Sequence, residues 1–111
     1  MSVEKVDVYE NFSFGGEEAM PVRVAAGDYK RGEILGRVGN VYGKLDVENA
    51  VPAAIMPFDL KITAESVKSV YVSGNFNESR LDFGGKDVET VKTALRDGGI
   101  FVRKWSAENN E

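Results

Sequence analysis

Apolar side chains recur at every second position through much of this chain, in short stretches separated by glycine, asparagine and proline. That is the period of strands with one buried face. Residues 6–14 read V-D-V-Y-E-N-F-S-F, and Val6, Val8, Phe12 and Phe14 share one parity, with Glu10 its single break. Gly15, Gly16, Glu17 and Glu18 follow as a solvated joint before Pro21. Two readings of 6–14 are open: a first core strand followed by a loop, or an N-terminal arm that gains its partner strand from another chain. The residues alone favour the first.

Beyond Pro21, Val22 and Val24 alternate with Arg23, and Gly27 with Asp28 reads as a turn. Ile34, Leu35 and Val38 lead into Gly39-Asn40, a tight-turn dipeptide, so 33–47 reads as a hairpin. Residues 53–56 form a brief apolar run between Pro52 and Pro57, consistent with a short buried strand. Strands at 67–73 and 79–83 are expected to flank a tight connection at Gly74, Asn75, Phe76 and Asn77. One helix is predicted at about 87–97. Asp87 caps it, Val88, Val91, Ala94 and Leu95 share a face, and Gly98-Gly99 stops it. Residues 100–105 read as a closing strand covered on both sides.

The class is therefore α+β, mainly β: a small glycine-rich body, barrel-like or sandwich-like, of short strands with one late helix and an N-terminal arm. The expected division is an arm at 1–19, a body at 20–105 and a polar tail at 106–111. At 111 residues the chain is one domain with room for a modest core.

Charge sharpens this picture. The net −4 falls on residues 1–19, where Glu4, Asp7, Glu10, Glu17 and Glu18 face only Lys5. A nucleic-acid binder needs a basic stripe to neutralise phosphates, and an anionic membrane asks for the same sign. Neither partner is expected. No apolar run approaches the ~18 residues of a membrane span, and no signal-peptide pattern is visible. The chain reads as soluble and compatible with a cytoplasm.

Cysteine and histidine are absent. That excludes disulfides, thiolate nucleophiles, Cys/His zinc sites and Ser–His–Asp triads. Gly36-Arg37-Val38-Gly39 and Gly84-Gly85 lack the lysine and hydroxyl of a P-loop and the spacing of a dinucleotide fingerprint. Asp82, Asp87, Asp46 and Glu48 read as solvated surface carboxylates, because an acid–base pair needs opposed environments. No catalytic residue, cofactor or metal site is expected, and the chain is not read as an enzyme. The aromatics Tyr71, Phe76, Phe83, Phe101 and Trp105 read as core or subunit interface.

Four blocks carry a family resemblance: 25–38 (AAGDYKRGEILGRV), 51–60 (VPAAIMPFDL), 71–84 (YVSGNFNESRLDFG) and 91–104 (VKTALRDGGIFVRK). Together they resemble the head decoration proteins of tailed phages and prophages, the lambda-type capsid-stabilising family. The third and fourth blocks are the specific ones; R-G-x-x-L-G alone is common in β-barrels. The resemblance implies a homotrimer on the outer surface of the expanded capsid, at three-fold and quasi-three-fold sites. There it would hold the major capsid protein lattice together, located in the virion and made in the bacterial host cytoplasm. It also favours the arm reading, with Val6, Val8, Tyr9, Phe12 and Phe14 as capsid-binding residues. Phe58, Phe76, Asn77 and Trp105 become candidates for the trimer or capsid interface. The chain departs from the family at its longer aromatic N-terminal segment, at Met56-Pro57-Phe58 and beyond Lys104. The competing reading is a phage tail or baseplate protein, or another β-rich oligomerisation module without enzymatic activity.

Overall fold

The computed structural model describes residues 12–104. Eight strands are present: β1 (Ser13–Val24), β2 (Gly27–Tyr29), β3 (Ile34–Val38), β4 (Val41–Lys44), β5 (Val51–Ile55), β6 (Leu60–Ile62), β7 (Ser66–Asn77) and β8 (Ile100–Arg103). A 3₁₀ turn spans Glu78–Arg80, and the helix α1 spans Val88–Asp97. The main sheet runs β1-β4-β3-β5-β7, and β7 returns to pair with β1, so five strands close into a small barrel. β8 adds to the other edge of β7 in parallel, and β2 pairs with β6 in a separate ribbon.

Alternation explains why so short a sheet holds two cores. Ile34 and Leu35 are adjacent and both fully buried, as are Ala54 and Ile55. Successive side chains of a strand point to opposite faces, so β3 and β5 are covered on both sides. Leu35 and Ala54 join Val24 and Val70 in the barrel's core, together with Tyr29, Met56 and Ile62. Ile34 and Ile55 join Phe76, Ile100, Val91 and Leu95 in the outer layer beneath α1. Each such aliphatic side chain contributes about 1.5–3 kcal/mol by leaving water.

The hairpin at β3 and β4 forms as the sequence predicts. Gly39 takes the first central position with φ 62, and Val38 pairs with Val41. A positive φ there matches the right-handed twist of the flanking strands. The class of the whole is as expected, and the brief strand before Pro57 is present but starts at Val51 and runs through Pro52.

Four local expectations are corrected. Gly74 to Asn77 is no turn, because β7 continues through it with β1 on one edge and β8 on the other. Gly74 has φ 130 and lies so close to Glu17 that a Cβ would sit 2.6 Å from the Glu17 Cα, so glycine marks close approach rather than reversal. The chain reverses after Asn77, where the 3₁₀ turn stands in place of the expected strand at 79–83; only a single bridge joins Asp82 to Glu33. Gly27 and Asp28 belong to β2 rather than to a turn. β8 is covered on one side alone, since Ile100 is buried and Phe101 is 45% exposed.

α1 forms as predicted. The Asp87 carboxylate accepts from the Thr90 hydroxyl at 2.7 Å and from the Thr90 amide at 3.0 Å, and those bonds hold its pKa below the ordinary aspartate value. A carboxylate favoured in the folded state stabilises it fully above the unfolded pKa, about 3.9, and loses that contribution as pH falls through the lower folded value. Asp87→Ala is therefore expected to lower the melting temperature at pH 7 and to flatten its fall below pH ~4. Parallel melting curves for the two proteins across that range would contradict it.

Candidate functional site

The aromatic residues at the start of β1 are fixed by the core. Phe12 is buried, its ring meets Phe76 edge-on at 5.7 Å, and its carbonyl accepts from the Asn77 amide at 2.9 Å. The Arg31 guanidinium covers its outer side, 4.2 Å from the ring centre. Phe14 is half-buried with the Arg103 guanidinium 5.4 Å over its ring. The boundary expected between 19 and 20 thus falls inside β1. Gly15 and Gly16 are not a joint: both take positive φ, and the register of β1 on β7 shifts around them as in a bulge.

Two interface candidates are likewise corrected. Phe76 is fully buried between Phe12 and Tyr71, so its ring is not on this chain's surface. Asn77 is 1% exposed, and its side-chain oxygen accepts from the amide and the hydroxyl of Ser79, capping the 3₁₀ turn. Phe58 is 51% exposed, on a loop whose Asp59 carboxylate accepts from the Arg31 amide at 2.9 Å. Val6, Val8, Tyr9 and Trp105 lie outside the described residues.

What the structure brings together is the two ends of the described chain. Ser13 pairs with Phe76 on one edge of β7, and Arg103 pairs with Asn77 on the other. Two strand spacings, roughly 10 Å, separate them. Residues 12–104 hold thirteen acids and thirteen bases. The whole net charge lies beyond them: Glu4, Asp7 and Glu10 against Lys5 before, and Glu108 and Glu111 after. Both acidic segments therefore start from one end of the β1–β7–β8 ribbon, beside Phe14 with Arg103 and, by way of Arg31, the Phe58 loop. Arg31 and Arg103 were missed as site residues. Their only sequence signal is a base near an aromatic after folding, which spacing along the chain does not carry.

β1 adds a second feature. β4 pairs with it only at Arg23 and Val24, so among the described residues no strand lies on its outer edge from Ser13 to Val22. Glu17 and Glu18 stand exposed on this edge strand, as charges do where a free edge must not pair at random.

Among the described residues no group of three or more carboxylates is placed to hold a metal ion, and no helix is long and apolar enough to cross a membrane. No protein-family model matches the chain, and no curated protein matches it.

Proposed function

We propose that this chain is a phage head decoration protein, which binds the outer surface of the expanded capsid as a homotrimer and cements the lattice of the major capsid protein. The observation that carries the reading is the shared exit of the two acidic segments beside exposed Phe58 and the Phe14–Arg103 contact. A neutral body from one end of which both acidic segments start is suited to attachment by that end. The resemblance of the four sequence blocks supplies the identity of the partner.

The mechanism is binding energy and nothing covalent. A protein that binds the expanded lattice, and neither its unexpanded form nor free subunits, stabilises that lattice by mass action. Three arms on one trimer reach neighbouring subunits at once, and each further contact benefits from a raised effective concentration. The trimer sits at three-fold and quasi-three-fold sites on the virion surface after synthesis in the bacterial cytoplasm. Enzymatic activity and cofactors have no part in it.

Co-sedimentation with expanded and unexpanded shells of the cognate major capsid protein tests the reading. Saturable binding to expanded shells alone is expected, with a trimer seen by light scattering on or off the shell. No binding to either shell would contradict it.

A further inference from the structure

Val22, Tyr42 and Val72, at the margin of the inner core, are only half-buried. A groove of about 700 Å³ enters there, among the start of β5, the end of α1 and residues Pro21 to Arg23 of β1. Gly98, which lines the groove, precedes β8, whereas the chain ends lie at that strand's far end. The groove is therefore a surface separate from the one assigned to shell binding. Its volume lies in the range of ligand sites, and its walls are mainly apolar, built by Val22, Val72 and Pro52.

Its polar groups select among occupants. Arg37 and Tyr42 are direct cross-strand partners, so their side chains share a face at the lip. The Arg37 guanidinium donates to its own turn, at the Gly39 carbonyl 3.0 Å away, and among the described residues no carboxylate pairs with it. Among the same residues no protein group bonds the Tyr42 hydroxyl. Arg23, by contrast, is paired with Glu65 at 3.2 Å, and Asp97 adds a negative charge on the helix side. One uncompensated cation with one hydroxyl donor fits one carboxylate. A polyphosphate or nucleic acid would meet too few cations, whereas a single carboxylate can sit at Arg37 on the hairpin side of the groove, across from Asp97 on the helix side.

The backbone points to a polypeptide. Before β4 begins at Val41, the outer edge of β1 is left open, and Gly39, Asn40, Pro21 and Val22 border the groove at that gap. The Ala25 amide bonds the Tyr42 carbonyl, so by alternation the Ala19 amide and carbonyl and the Pro21 carbonyl also face away from β7. Pro21 has no N–H, and an extended segment laid there would bond those three groups with side-chain space below, which a simple amphiphile cannot use.

We propose that this groove is a binding site for an extended acidic peptide segment, whose single carboxylate is held by Arg37 and Tyr42 while its apolar neighbours pack on Val22, Val72 and Pro52. The segment belongs to a partner protein, and the site is independent of the shell-binding reading.

The test is an amide NMR titration of the full chain with acetyl-Thr-Val-Asp-Val-Thr-amide, its Asn counterpart and sodium octanoate. The Asp peptide is expected to shift Val22, Tyr42 and Val72 saturably. The Asn peptide should bind about tenfold more weakly, the loss of one charge-assisted contact. Arg37→Gln should weaken the Asp peptide by a similar factor and leave the Asn peptide unchanged, with Arg37→Lys in between. Arg37 is exposed, so these variants are expected to fold. The proposal fails if the Asp peptide produces no saturable shifts in the groove, or if Asp and Asn peptides bind alike. It fails too if Arg37→Gln changes nothing, or if octanoate binds the same residues as tightly as the peptide.

Discussion

Phe76→Ala is expected to lower the stability of the chain by about 3–5 kcal/mol, the usual cost of emptying a buried phenylalanine site. Single domains are stable by only about 5–15 kcal/mol, so the variant should be close to unfolding at 37 °C. Phe76 is fully buried, stands against Phe12 and Tyr71, and sits on the one strand that pairs with both β1 and β8. Its loss leaves a cavity in the outer core between Phe12 and Tyr71. Guanidinium denaturation measures the effect directly. A loss below about 1 kcal/mol would mean that the ring is not a core group and would return it to the list of partner contacts.

Removing residues 1–11 is expected to leave the circular dichroism unchanged and to weaken shell binding at least a hundredfold, on the order of 3 kcal/mol per trimer. The ring and carbonyl of Phe12 belong to the body, through Phe76 and the Asn77 amide, so a cut before it spares the core. The cut removes Glu4, Asp7 and Glu10 together with the alternating Val6 and Val8, which under the proposal supply the arm. Removing residues 1–16 is a different experiment. It also takes Phe12 and the first rungs of β1 on β7, and a stability loss comparable to that of Phe76→Ala is expected. If the shorter deletion retains full binding, attachment lies elsewhere on the body.

The sequence carried the elements whose causes are local. The β3–β4 hairpin follows from Gly39-Asn40, and α1 follows from an Asp87 cap, a regular apolar face and a glycine stop. The barrel-like body followed from many short strands and much glycine, but closure did not. Closure depends on β7 pairing with β1 across some fifty residues, and no local pattern records which distant strand is chosen.

Glycine misled the reading wherever it serves packing instead of turning. Gly74 read as part of a chain reversal and the Gly15-Gly16 pair as a solvated joint, yet they let β1 and β7 approach and bulge. The turn left Phe76 open to either role and, with the resemblance, kept Phe76 and Asn77 among the interface candidates, while the joint placed the arm boundary inside a strand. The alternation of Phe12 and Phe14 was real, but its partner is this chain's own β7. The shared exit of the chain ends was invisible for a related reason: it requires knowing that β1 and β8 flank the same strand.

Under the proposal this protein cements an expanded shell, and differential scanning calorimetry of shells tests that most directly. Expanded shells of the cognate major capsid protein should melt at a higher temperature once saturated with this chain, and the gain should vanish when residues 1–11 are removed. Equal melting of bare and saturated shells would contradict the account.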